Sequence, residues 1–152
     1  MPALLRLTLR YTVAVAVVFV LPACVHAARD TTGFGVEDKI TVAASFEQTW
    51  QAVKAALREQ RLDLHTRDKN GYFVAYTSTK RQWLQPRRIK YTVQLTPVSK
   101  EQTLVRVEAV RQVYGSTLLT EPDWHERKLE DPSVVASLLQ AIQAKITTAP
   151  GA

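Results

Sequence analysis

Ala44-Ser45-Phe46-Glu47-Gln48-Thr49-Trp50-Gln51-Ala52-Val53 contains a helix start that constrains how the rest of the chain is arranged. Ser45 precedes the apolar residues and Gln48 stands three positions on. That is the spacing of a capping box, in which hydroxyl and amide side chains each satisfy an orphan backbone N–H. Phe46, Trp50, Val53 and Leu57 then recur at i, i+4, i+7 and i+11, with Ala52 and Ala56 beside them. Glu47, Lys54, Arg58 and Glu59 take the opposite side. A helix apolar along one stripe must bury that stripe. The spacing predicts an amphipathic helix from Ser45 to about Gln60, lying on an apolar surface.

The flanking segments supply that surface. Asp38–Ala43 reads as a first strand with Ile40 and Val42 on one face. Leu62–Arg67 alternates, with Leu62 and Leu64 inward and Asp63, His65 and Arg67 outward. Asp68-Lys69-Asn70-Gly71 is expected to be a tight hairpin turn, because Asn-Gly accepts positive φ angles. Tyr72–Thr79 returns as a strand, and Lys80–Arg87 reads as a loop holding Trp83, Leu84 and Pro86. Arg88–Thr96 alternates cleanly, Ile89, Tyr91, Val93 and Leu95 on one face against Arg88, Lys90, Thr92 and Gln94 on the other. Pro97–Glu101 turns the chain into a long strand, Thr103–Tyr114, with Val105, Val107 and Ala109 on the buried parity. Leu118–Lys128 shows no period, with Trp124 as its anchor. Asp131-Pro132 opens a last helix whose stripe is Val135, Leu138, Leu139, Ile142 and Ile146. The order β-α-β-β-β-β-α predicts an α+β fold: an antiparallel sheet of about five strands with two helices on one face and a wet opposite face.

The amino-terminal segment has a different character. Arg6 and Arg10 precede an almost wholly apolar run, Tyr11–Leu21, which ends at Pro22 and small residues. This is the layout of a secretory signal. Tyr11–Ala23 is shorter than the roughly 20 apolar residues that cross a bilayer. Leu21-Pro22-Ala23-Cys24 resembles a bacterial lipobox, with proline at a position usually held by a small residue, and its cysteine is the single one in the chain. Cleavage there makes residues 1–23 the signal and Cys24 a lipid attachment site. Val25-His26-Ala27 fits ordinary signal peptidase instead, which makes residues 1–27 the signal and the product soluble in the periplasm. Val25 rather than Asp after the cysteine implies, by resemblance to the sorting rule of enteric bacteria, the outer membrane, facing the periplasm. Residues 24–36 then form a tether and 37–148 a single domain.

Composition fits one globular domain without disulfides. Apolar residues make up 46% and charged residues 22% of the chain, ordinary globular values. Removing Arg6 and Arg10 leaves 18 basic against 14 acidic residues, a charge of +4 rather than the +6 of the whole chain. So mild an excess does not point to nucleic acid. Five cations (Lys80, Arg81, Arg87, Arg88 and Lys90) cluster around Trp83 without an intervening acid. With Trp83 they are the candidate surface-binding residues, suited to anionic lipid headgroups, peptidoglycan or an acidic partner.

Catalytic and metal signatures are missing from the sequence. His26, His65 and His125 have no metal-ligand spacing, and the chain carries no nucleophile elbow or phosphate loop. No cofactor is expected and the chain does not read as an enzyme.

Ser45–Val53 after a strand, Asp68-Lys69-Asn70-Gly71-Tyr72-Phe73, Ile89–Val93 leading to Pro97, and the Leu138–Ile142 helix together resemble small bacterial envelope lipoproteins of the BamC-like, helix-grip kind. The resemblance implies a non-catalytic accessory or assembly role through contacts with envelope proteins. The sequence is expected to form one such domain without the long unstructured leader region of BamC. The Ala-Ser-Phe-Glu-Gln-Thr-Trp start is also similar to helix-grip lipid carriers of the START and Bet v 1 type. That implies the alternative, a periplasmic carrier of a lipid or other apolar ligand.

Overall fold

The structure, a computed structural model, describes residues 31–82, 85–116 and 121–148. Contacts divide the chain into two units, Met1–Asp30 and Thr31–Ala152, and the described residues all belong to the second. The expectations for the signal segment and Cys24 therefore lie outside the described residues.

Alternating polarity in the second half of the chain produces two strands of 13 residues each, β5 (Gln85–Pro97) and β6 (Thr103–Gly115). They pair antiparallel without a register break from Arg87↔Val113 to Pro97↔Thr103. Val98 N–H donates to the Gln102 carbonyl at 2.9 Å across the connecting turn. At about 3.4 Å per residue each strand is roughly 44 Å long. That length is shared between two partners on either side. β5 pairs with β3 (Tyr72–Tyr76) and, farther along, with β4 (Lys80–Gln82). β6 pairs with β1 (Val36–Val42) and then with β7 (Asp123–Arg127). β2 (Asp63–Arg67) closes one edge against β3. The result is a seven-stranded antiparallel sheet with the main path β1-β6-β5-β3-β2.

Helices α1 (Phe46–Glu59) and α2 (Ser133–Thr148) cover one face of this sheet. Ser45 caps α1 as expected: Gln48 N–H donates to Ser45 Oγ at 3.3 Å and Ser45 N–H to Gln48 Oε1 at 3.1 Å. Trp50, Val53, Ala56 and Leu57 of α1 and Val135, Leu138, Leu139 and Ile142 of α2 share one core with Phe73, Tyr91, Val93, Leu95, Val105 and Val107. Each large side chain so buried stabilises the fold by roughly 1.5–3 kcal/mol. Polar contacts fix the joints. Trp50 Nε1–H donates to the Asp68 carbonyl at 2.9 Å, tying α1 to the β2–β3 turn. The buried Thr103 hydroxyl donates to the Ala44 carbonyl at 3.0 Å, fixing the approach to α1 against the start of β6. Asp131 Oδ1 accepts the Ser133 N–H at 2.9 Å, and the Ser133 hydroxyl first, then this backbone bond, hold the Asp131 carboxyl below the usual carboxylate range.

The α+β class, the five-strand path and the helices match the sequence expectation, and four details differ. The expected loop Lys80–Arg87 is instead strand β4 and the start of β5. Within Leu118–Lys128, read as irregular, Asp123–Arg127 forms β7. The Asp68–Gly71 turn carries positive φ at Gly71 (90°) and not at Asn70. Gly71 N–H bonds the Asp68 carbonyl at 3.1 Å, and the Asp68 carboxylate takes the Asn70 N–H at 2.9 Å. This is a turn with a glycine bulge, its third residue held by a local Asx hydrogen bond. Finally, the face opposite the helices is not uniformly wet, since Val74, Val110 and Gln112 are buried there.

Two substitutions probe these joints. A Cβ at Gly71 meets Leu95 Cβ at 2.8 Å and Phe46 Cε2 at 3.0 Å on a backbone already at φ 90°. Gly71→Ala is expected to cost about 2–4 kcal/mol in denaturant unfolding, from left-handed strain and overpacking together. Gly115→Ala, with no heavy atom within 4 Å of its Cβ, should stay within about 0.5 kcal/mol. Thr103→Val keeps the shape but leaves the Ala44 carbonyl without its donor, and should cost about 1–3 kcal/mol by the same measurement.

Candidate functional site

The helices cover the part of the β5–β6 pair that runs from Ile89 and Ala109 to the turn. The buried inner-face residues stop there, and the sheet continues past the helices. Strand alternation decides which side chains occupy that extension. On β5 the odd-numbered residues face the helix side, as do the odd-numbered residues of β6 and their β7 partners. One row across the sheet is Ile89, Arg111 and Arg127; the next is Arg87, Val113 and His125. Arg87, Arg111, Val113, His125 and Arg127, with Gly115, line a cleft of about 240 Å³. The three arginines and His125 are all half-buried. His125 Nε2 lies 3.0 Å from the Gly115 carbonyl. A carbonyl can only accept, so Nε2 carries the proton and ties the middle of β7 to the end of β6. Arg127 Nη1 donates to the Glu126 carbonyl at 2.9 Å.

The even-numbered residues build something different on the opposite face. The Arg88 guanidinium lies between the Tyr76 ring, 4.0 Å from its centroid, and the Trp124 ring at 3.9 Å. Its Nε–H donates to Gln112 Oε1 at 2.8 Å. Tyr114 packs against Trp124 in a tilted arrangement, with centroids 5.3 Å apart. Lys90 pairs with Glu126 at 3.6 Å. A guanidinium held between two aromatic faces is a stabilising cation–π arrangement. Its hydrogen bond also accounts for the burial of Gln112 on a face without helices.

The candidate surface-binding residues are thereby separated. Lys80 and Arg81 are exposed on β4, and Arg87 lines the inner cleft. Arg88 and Lys90 are engaged on the outer face, Arg88 in the aromatic stack and Lys90 with Glu126. Trp83, like Cys24, lies outside the described residues. Arg111 and Arg127, far from that run in sequence, join Arg87, and sequence reasoning missed them. The signal was parity: Arg87, Arg111 and Val113 share the face that carries Tyr91, Val107 and Ala109.

A second, shallower cleft of about 310 Å³ lies by Ser45, Gln48 and Gln102, where the polar groups of Ser45 and Gln48 already serve the helix cap. Within the core, burial chiefly, and then the Asp131 charge, raise the Tyr91 phenol above its ordinary value, so it stays neutral. Among the described residues no three His, Cys, Asp or Glu side chains converge in a way that could hold a metal. No described helix is long and apolar enough to cross a membrane.

No family model matches the chain, and no curated protein sequence does. Among solved structures, the chain is similar to a TBP-like protein from Parabacteroides distasonis, at a TM-score of 0.45 and 13% identity, covering 82% of this chain and 98% of that one. Norcoclaurine synthase from Thalictrum flavum, in complex with dopamine and hydroxybenzaldehyde, gives a TM-score of 0.42 and 9% identity over 84% of this chain and 98% of the enzyme. A START superfamily protein from Mycobacterium smegmatis gives 0.39 and 12% over 76% of this chain and 99% of that protein. These are distant likenesses of chain path, and no ligand or activity passes from them to this chain.

Proposed function

We propose that the chain is a non-catalytic lipoprotein of the bacterial cell envelope whose domain serves as a protein-interaction or assembly module. The sequence Leu21-Pro22-Ala23-Cys24 supports acylation of Cys24, and Val25 in place of Asp after it supports the outer membrane, facing the periplasm. Envelope proteins are the partners in this reading. Lys80 and Arg81 of β4 are exposed, which supports contact with anionic lipid or peptidoglycan in this reading.

One observation favours a module over a carrier. Val53, Ala56, Leu57, Phe73, Val105, Val107, Ala109, Leu138 and Ile142, drawn from both helices and the sheet between them, expose 0% of their surface. A cavity able to admit a ligand leaves accessible surface on its walls, so the space between these residues is filled by the protein itself. The carrier reading rests on the layout of a carboxy-terminal helix across an antiparallel sheet. It requires α2 to lift its buried stripe from that sheet.

Labelled palmitate should enter the wild-type protein in cells and not a Cys24→Ser variant, with the label fractionating with the outer membrane. An unlabelled protein whose amino terminus is Ala28 removes the anchor and leaves a soluble periplasmic domain. Native mass spectrometry of the extracted protein separates the other two readings. A mass of polypeptide plus its covalent lipid fits the module, whereas a stoichiometric non-covalent lipid replaces it with the carrier.

A further inference from the structure

The inner-face cleft beyond the helices is electrostatically one-sided. Arg87, Arg111 and Arg127 line it, and among the described residues no acidic side chain does. Arg111 and Arg127 stand directly opposite one another across the β6–β7 pair. Like charges so placed destabilise a strand pair. Arg87 is diagonal to Arg111, since its direct partner is Val113, two residues on. Lys80 stands opposite Arg87 across the β4–β5 pair. Arg111 Nε is buried without a hydrogen-bond partner. A buried donor in that state costs stability, and an oxyanion in the cleft would offset the repulsion among the guanidinium groups.

We propose that this cleft binds the phosphoryl dianion of a phosphate monoester. Three guanidinium groups around one space match a tetrahedral group that accepts hydrogen bonds from several directions. A carboxylate carries one charge on two coplanar oxygens, so it matches three guanidinium groups less well than a dianion with three oxygens. The volume of about 240 Å³ is below the roughly 300–1,000 Å³ of pockets that enclose drug-sized ligands. The cleft therefore takes the phosphorylated head of a molecule rather than an acyl chain. The site does not depend on acylation of Cys24, so it stands or falls separately from the anchor.

The test is calorimetric titration of the full-length protein, in neutral detergent at low ionic strength, with inorganic phosphate and with acetate. Phosphate should bind at least about tenfold more tightly than acetate. The double variant Arg111→Gln/Arg127→Gln should weaken phosphate binding at least about tenfold, or about 1.4 kcal/mol. It should also raise the ligand-free melting temperature by a few degrees, because the cross-strand repulsion is gone. The charge-matched variant Lys69→Gln/Lys100→Gln, at exposed turn positions away from the cleft, should bind phosphate as the wild type does. If the double variant does not fold, Arg127→Gln alone, on the short strand β7, carries the same comparison. Wild-type protein that ignores phosphate, binds acetate equally well, or loses affinity equally through Lys69 and Lys100 overturns the proposal, as does undiminished binding by the arginine variants. Two further arms identify the source of the phosphate. Arginine-dependent flotation with phosphatidic acid vesicles, and not with phosphatidylcholine, assigns a lipid headgroup. Heats from glycerol 3-phosphate without flotation assign a soluble ester.

Discussion

The unbroken pairing of β5 with β6 places the other described elements. Because the pair has no bulge between Arg87↔Val113 and Pro97↔Thr103, one face stays one face along its whole length. At the turn end that face is apolar and receives both helices. At the other end the same face carries arginines. The change from apolar to cationic comes within two residues, from Ala109 to Arg111 on β6 and from Ile89 to Arg87 on β5. The fold therefore has two functional registers on a single surface, one that packs and one that faces solvent.

The outer face shows how a sheet can be closed without a helix. Arg88 carries a charge at the centre of that face, yet its guanidinium is sandwiched by Tyr76 and Trp124 and hydrogen-bonded to Gln112. Strands β3, β5, β6 and β7 each contribute one member, so the stack ties together strands that are not neighbours in sequence. Lys90 and Glu126 extend the same surface with an ion pair about one-third exposed. Such a pair adds little stability by itself. The aromatic stack accounts for the burial of Gln112.

Much of the fold was legible in the sequence. The Ser45–Gln48 capping box, the two helical stripes and the alternation of Arg88–Thr96 and Thr103–Tyr114 are local patterns, and each became the element it suggested. β7 was not legible, because Asp123-Trp124-His125-Glu126-Arg127 has polar groups on both faces and gains its pairing from β6 alone. β4 was hidden by its three-residue length and by Pro86 opposite it. The inner cleft was harder still. Lys80–Lys90 looked like one basic patch because sequence distance ignores the pleat. Successive strand residues point to opposite faces, so Arg87 and Arg88 belong to different surfaces. The companions of Arg87 are supplied by strands 24 or more residues later.

This shared parity also limits how such a chain can drift. A single codon gained or lost within β6, between Ala109 and Val113, would invert every position on one side of the change. Guanidinium groups would move to the aromatic side, or Val105 and Val107 would leave the interior. Insertions and deletions in β5 and β6 are therefore tolerable in even steps, whereas the Val98–Gln102 turn can vary in length. Descendants of this chain should differ in size at that turn long before they differ in the spacing between hydrophobic floor and arginines.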